Sequence, residues 1–300
     1  MAPKCYLRSL KLVSAFDEIE YIKREKRVAN SMYPFKMFDA KELRRVDFEP
    51  ITILCGSNGS GKTTLLNVIA EAAGLHRHSP FHGGMFFADY VSMCKMDADE
   101  IPRQSQILTS DDISDYLINM RALNNGIDNR RNELYAEYIA RRDDLHRNLT
   151  SLEDYDDWKE SMDAKSKTPT QFIKARMMKS VDMFSNGETA MKYYLERISE
   201  NALYLIDEPE NSLSPKLQRD LLDYISASAR YYGCQFIIAT HSPILLSLPG
   251  AKIYDLDDYP VSVKKWTELE HVCAYYSFFK QHEEEILAAN PDRRWDEDDG

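Results

Sequence analysis

Gly56-Ser57-Asn58-Gly59-Ser60-Gly61-Lys62-Thr63 is the stretch on which the reading of this chain turns. Ile51 to Cys55, just before it, is a short apolar run of the kind that forms a buried strand. Lys62 to about Ala73, just after it, reads as a helix, with Gly74 placed to stop it. The stretch satisfies G-x-x-x-x-G-K-[ST] between a strand and a helix, the context this motif requires. Its glycines let the backbone curl until successive N–H groups face an anion, and the helix N-terminus adds its dipole. Lys62 suits the β- and γ-phosphates of a nucleoside triphosphate, and the Thr63 hydroxyl suits Mg²⁺.

A second segment supplies what the loop lacks. Leu203-Tyr204-Leu205-Ile206 is followed by Asp207-Glu208, a buried strand ending in two acids. A strand that ends in Asp puts a carboxylate at the sheet's C-terminal rim, beside the loop. Asp207 is then a holder of Mg²⁺ and Glu208 the group that orients and deprotonates an attacking water.

Around these two segments strands and helices alternate. Tyr6 to Val13, Met85 to Met93 and Gln235 to Ala239 read as further strands, and Pro215 to Arg230 as a helix. Such alternation implies parallel pairing in a covered α/β sheet. Between Asp111 and Met183 the apolar period becomes helical, through Ile113, Leu117, Met120, Leu134, Tyr138 and Leu145. Thr109-Ser110-Asp111-Asp112 is a capping start and Asn124-Asn125-Gly126 a place to break or bend. Lys165 to Thr170 reads as a loop before another helix from Gln171 into Met183. The expected organisation is therefore a core over 1–110 and 184–260, a helical insertion over 111–183, a C-terminal helical segment over 261–290 and an acidic tail over 291–300.

Two smaller motifs narrow the class. Phe184-Ser185-Asn186-Gly187-Glu188 places Ser185 22 positions before Asp207, and Thr240-His241-Ser242-Pro243 places His241 34 positions after it. By itself a Ser-Asn-Gly-Glu string is a helix N-cap. In this order the chain resembles the ABC-type ATPases, and its Asp207-Glu208-Pro209-Glu210-Asn211-Ser212-Leu213-Ser214-Pro215 is similar to soluble SMC-like and overcoming-lysogenization-type members. The usual signature, Leu-Ser-Gly-Gly followed by Gln or Glu, is kept at Ser185, Gly187 and Glu188 and departs at Phe184 and Asn186. The resemblance implies an α/β P-loop NTPase fold with an ABC-type core sheet and an inserted helical subdomain. It implies ATP held by Gly56 to Thr63 and Thr64, Mg²⁺ at Thr63 and Asp207, and catalysis by Glu208 with His241 as γ-phosphate sensor. It also implies an ATP-dependent homodimer, in which Ser185, Asn186, Gly187 and Glu188 close over the nucleotide of the opposite subunit. The family places a Mg²⁺-coupling glutamine where Gln104 and Gln106 fall, and a base-stacking aromatic for which Phe16, Tyr33, Phe38 and Phe48 all qualify.

Composition limits the partners. The 38 Lys and Arg against 49 Asp and Glu give a net charge of −11, which disfavours wrapping nucleic acid over the whole surface. Thirteen of the acids, against five Lys or Arg, lie between Asp255 and Gly300. The insertion carries Arg121, Arg130, Arg131, Arg141, Arg142 and Arg147. Yet residues 101–180 hold thirteen Lys or Arg against fourteen acids, the balance of a solvated face. Five scattered cysteines without a Cys-x-x-Cys pair argue for reduced thiols in a cytoplasm. Lys4, Arg8 and Lys11 interrupt the place of a signal peptide, and no apolar run approaches the roughly 20 residues of a membrane span. His76, His78 and His82 lack companion Cys or carboxylate ligands, and Trp266, Tyr275, Tyr276 and Phe278 read as packing residues of a final helix. The first expectation is an ATP hydrolase that acts on a separate effector protein, as in antiviral defence, or on DNA. A slow ATP-dependent assembly switch and the nucleotide-binding subunit of a membrane transporter are the alternatives.

Overall fold

A computed structural model describes residues 3–27, 31–81, 83–143, 168 and 185–290. The loop at Lys165–Thr170 (save Thr168), the helix from Gln171, Phe184, His82 and the acidic tail therefore lie outside the described residues. The chain divides into two compact units, Met1–Asp112 with Ala190–Gly300, and Ile113–Thr189.

The first unit is built on a six-stranded sheet. Its strands are β3 (Ile51–Cys55), β5 (Gln106–Leu108), β6 (Leu203–Asp207), β7 (Gln235–Ala239), β8 (Lys252–Asp255) and β9 (Ser262–Lys264), in the order β5-β6-β7-β3-β8-β9. All pairs are parallel except β8–β9. Every residue of β3, β6 and β7 is buried, as expected for central strands covered on both faces. The helix α2 (Lys62–Ala72) buries Leu65, Leu66, Val68 and Ile69, and Gly74 ends it with a positive φ of 61°. The helix α6 (Pro215–Tyr231) starts at Ser214, whose hydroxyl accepts the Leu217 N–H, with proline at the first helical position.

A smaller antiparallel sheet, β2-β1-β4, joins β1 (Leu7–Lys11), β2 (Arg45–Asp47) and β4 (Lys95–Ala98). Two buried side chains tie it to the large sheet. The Gln235 amide accepts the Leu7 N–H at 2.9 Å and donates to the carbonyls of Leu7 at 2.8 Å and Glu49 at 3.2 Å. The Tyr254 hydroxyl accepts the Asp47 N–H at 2.9 Å and donates to the Asp47 carbonyl at 3.0 Å. The core between the sheets includes Leu7, Leu10, Phe38, Leu66, Phe86, Tyr90 and Ile237.

Met85 to Met93 is not a strand. Phe87–Met93 is a helix, α3, because its apolar residues repeat three apart rather than two: Phe87 and Tyr90 are buried while Asp89 and Ser92 face outward. Phe87 stacks on Tyr33 with centroids 6.0 Å apart, and Tyr90 meets Phe35 edge-on at 5.1 Å. The strand of the small sheet follows at β4.

The helix α4 (Ser110–Asp143) begins as its sequence implies: Asp112 accepts the Thr109 N–H and hydroxyl, and the Thr109 hydroxyl accepts the Asp112 N–H. It runs through Asn124-Asn125-Gly126 without a break. In the second unit, Ile113, Leu134 and Tyr138 are buried. The C-terminal helices are α8 (Glu270–Gln281) and α9 (Glu283–Ala289). Tyr275, Tyr276 and Phe278 of the first of these helices are exposed rather than packed, as is Trp266 in the 3₁₀ turn before it. Among the described residues no helix is long and apolar enough to cross a membrane.

The Gln235 bridge sets a test. Gln235→Leu leaves one buried N–H and two buried carbonyls short of a partner, so urea unfolding should show a loss of about 2–4 kcal/mol. An unchanged midpoint would mean that the Gln235 bonds add nothing to what Tyr254 and apolar packing already supply.

Candidate functional site

The phosphate loop leaves β3 at Gly56 and re-enters regular structure at Lys62. Gly61, which caps α2, has φ +101°, a conformation side chains disfavour. Gly56 is required by space: a Cβ there would stand 2.6 Å from the Ser60 hydroxyl oxygen. Asp257, in the β8–β9 turn, ties down the first half of the loop by accepting the Ser57 N–H at 2.6 Å and the Ser57 hydroxyl at 2.9 Å. Sequence reasoning missed Asp257, which no motif marks.

The Lys62 side chain is almost wholly buried. Its ammonium donates to the carbonyls of Gly56 at 2.8 Å and Ser57 at 3.1 Å, and stands 3.6 Å from a Glu208 carboxylate oxygen. The Thr63 hydroxyl donates to Asp207 at 3.1 Å, and Thr64 accepts the Tyr33 phenol at 2.9 Å. Loop and acidic strand thus meet at one rim of the sheet, because β7, next to β3, pairs on its other side with β6.

Asp207 ends β6 with only 7% of its surface exposed. Burial is the main reason its carboxyl is pushed up from the usual 3.8 to about 6; Thr63 and Lys62 oppose the rise, and Glu208 and Glu210 add to it. Thr63 and Asp207 are a hydroxyl and a carboxylate, hard oxygen donors of the kind that Mg²⁺ takes. Glu208 follows in a left-handed conformation, φ 45° and ψ 56°, at a cost on the order of 1 kcal/mol. Its carboxylate accepts the Asn211 side-chain N–H at 3.0 Å.

His241 follows β7, whose last residue, Ala239, is in register with Asp207. It lines one pocket with Gly56, Ser57, Asn58 and Asp257. One oxygen of Glu210 accepts the Thr240 hydroxyl at 2.7 Å and the His241 N–H at 2.8 Å, and lies 3.2 Å from the ring nitrogen Nδ1. Ser242 donates to the buried Gln218 of α6 at 2.6 Å, and Gln218 donates to the Leu213 carbonyl at 2.9 Å.

The signature belongs to a capping box at the head of α5 (Asn186–Arg197). Glu188 accepts the Ser185 N–H at 2.8 Å and the Ser185 hydroxyl accepts the Glu188 N–H at 3.3 Å, which lowers the Glu188 pKa. Ser185 to Glu188 lie in the second compact unit.

Several sequence-based candidates fall away from the rim. Gln104 donates to the carbonyls of Glu200 and Asn201, and Gln106 to that of Arg197, at the entry end of β6. Neither reaches Asp207; the residue following β5 at the rim is Thr109. Phe38 and Phe48 are core residues and Phe16 is an exposed residue of α1 (Ala15–Arg24), which leaves Tyr33, bonded to Thr64, as the aromatic joined to the loop. His78 pairs with the Arg197 guanidinium, and among the described residues no three His, Cys, Asp or Glu side chains cluster to hold a metal.

The displaced titration of Asp207 has a measurable consequence. A folded-state pKa above the unfolded one means the fold bears a penalty that is present above pH 6 and relieved as pH falls from about 6 to about 4. Asp207→Asn should therefore raise thermal stability at pH 7.5 by up to about 3 kcal/mol, with the gain shrinking toward pH 4. A melting temperature that is unchanged at pH 7.5 would contradict the buried charge.

Residues 128–247 match the family model described as "AAA domain, putative AbiEii toxin, Type IV TA system", a span that takes in Ser185, Asp207, Glu208 and His241 but not the phosphate loop. No curated protein matches the chain in sequence. Among solved structures it is similar to the Smc head domain of Pyrococcus furiosus bound to the C-terminal domain of ScpA. That match has 13% identity, covers 92% of this chain and 99% of that one, and has a TM-score of 0.42. It is also similar to the SMC head domain of Thermotoga maritima, at 14% identity over 87% and 99% of the two chains, with a TM-score of 0.39. The phosphate loop and the acidic strand meeting at one rim of a parallel-rich central sheet make this an α/β architecture of the P-loop NTPase type.

Proposed function

We propose that the protein binds ATP with Mg²⁺, dimerises around two nucleotides and hydrolyses them to drive or time a switch on a partner. The observation that carries this is the meeting of Lys62, Thr63, Asp207 and Glu208 at one rim, with His241 in the pocket beside the loop.

Lys62 is the movable cation of the site. Its ammonium is shared between loop carbonyls and Glu208, and phosphate oxygens compete for it with full charges. Its transfer to the β- and γ-phosphates frees Glu208, which orients a water in line with the γ-phosphorus and takes its proton as the oxygen–phosphorus bond forms and the bond to ADP breaks. Thr63 and Asp207 would hold Mg²⁺, which neutralises charge on the phosphates. His241 faces the γ-phosphate, and the Ser185–Glu188 helix start of a second copy closes over it.

The partner is a separate effector protein or, as the second class, DNA. The matched family model is described as an AAA domain of a putative toxin in a type IV toxin–antitoxin system, which supports placing the ATPase in a protein-level switch. The nucleotide-binding subunit of a transporter remains the alternative, and nothing in the structure favours it over this reading.

Glu208→Gln should bind ATP yet hydrolyse it roughly 10²–10⁴-fold more slowly, since the amide accepts no proton. Turnover at the parental rate would remove Glu208 from the base's role.

The sandwich is tested by mixing. Lys62→Ala and Ser185→Arg chains should each be inactive alone, because every composite site lacks its loop or its signature. A mixed dimer has one intact site and should recover part of the activity. Parental turnover by Ser185→Arg alone, running as a monomer on sizing, would exclude the composite site.

A further inference from the structure

We propose that Glu210 is a positioning residue that clamps the His241 imidazole through Nδ1 and so fixes which ring nitrogen is turned toward the phosphate loop. The catalytic half of this inference rests on the ATP-hydrolase reading; the clamp itself does not.

Glu210 sits in the 3₁₀ turn Pro209–Ser212 that follows β6, and His241 in the loop that follows β7. The two strands are neighbours in register, and the Glu208 N–H extends their ladder to the Ala239 carbonyl at 2.8 Å. The two turns are therefore held against each other. One Glu210 oxygen gathers the Thr240 hydroxyl, the His241 N–H and, at 3.2 Å, His241 Nδ1. The first two contacts are good hydrogen bonds. The ring nitrogen lies within reach of the same oxygen without a hydrogen bond being completed in this geometry, and that contact is the one the clamp requires.

A backbone cap alone does not call for a carboxylate. The amide oxygen of a glutamine would accept the same two bonds from Thr240 and His241 without bringing a charge into the interior. The Glu210 side chain is only 7% exposed, and its other oxygen is buried with no donor in reach. Leaving a carboxylate oxygen unpaired in the interior is costly. What the charge adds is attraction for a proton on Nδ1. A carboxylate at one ring nitrogen sets the tautomer and leaves the other nitrogen, Nε2, for the pocket shared with Gly56, Ser57 and Asn58. The same carboxylate is the strongest charge acting on the buried phenol of Tyr194 in α5, whose hydroxyl also lacks a partner.

Glu210→Gln tests the clamp because it keeps the two backbone-side bonds. Nitrogen NMR of the nucleotide-free chain, with His241→Ala assigning the signal, should find Nδ1 protonated in the parent and the proton moved to Nε2 in Glu210→Gln. An unchanged tautomer overturns the proposal. In turnover, Glu210→Gln should lower kcat roughly 10–100-fold with the KM for ATP nearly unchanged and the melting temperature not reduced. Added to His241→Ala, it should cost nothing further, since the ring through which it acts is gone. Losses that multiply in the double variant would mean that Glu210 acts independently of His241, and the inference fails. If Glu210→Gln does not fold, Glu210→Asp, which retracts the charge, replaces it in the same measurements with the same criteria. A tautomer that moves in a protein without any ATP turnover would uphold the clamp and sink the hydrolase reading instead.

Discussion

Lys62 and Asp207 carry opposite charges and are both held almost entirely out of water, at the ends of segments that the chain brings together from 145 positions apart. Neither charge is tolerable alone in such a place. The ammonium is made acceptable by two loop carbonyls and a second acid, Glu208, and the carboxylate by the Thr63 hydroxyl. The left-handed turn at Glu208 and the positive φ at Gly61 are the backbone's contribution to the same end. The rim is thus a cluster of partly satisfied charges, held together by a few short polar contacts.

That cluster depends on strand order. The loop follows β3, His241 follows β7 and the acids end β6, three strands adjacent in space but not in sequence. Parallel pairing sends all three chain segments out of the sheet on one side. Gln235 and Tyr254 then tie the small antiparallel sheet to the large one with buried hydrogen bonds. Asp257 carries the same logic to the loop itself, reaching from beyond β8 to fix Ser57.

What was legible in the sequence was whatever local order encodes. The loop is eight consecutive residues with a fixed chemistry, and the acidic strand is four apolar positions with a carboxylate at its end. The short strands at Arg45–Asp47, Lys95–Ala98 and Gln106–Leu108 were not legible, because three or four residues carry no measurable period. Met85 to Met93 misled because aromatic residues suit a strand by propensity, while their spacing suits a helix face. Glu210 stands in plain view two residues after Glu208, but only burial distinguishes it from an ordinary turn acid. The glutamines at 104 and 106 failed for a geometric reason: they precede or begin β5 and lie at the wrong end of its parallel partner.

The segment Ile113–Thr189 forms a compact unit of its own, between Asp112, fixed to Thr109 and Ser79, and Ala190 within α5. The pairing of β5 with β6 is set by the strands themselves, in register from Gln106 opposite Tyr204 to Leu108 opposite Ile206. Closing a longer or shorter excursion between those strands changes the entropy of the chain only slowly with length. Changes in the length of that excursion therefore bear little on the β5–β6 register that places Asp207 at the end of its strand. A lineage carrying this architecture can thus lengthen or shorten the chain between two paired strands while the pairing itself is inherited unchanged.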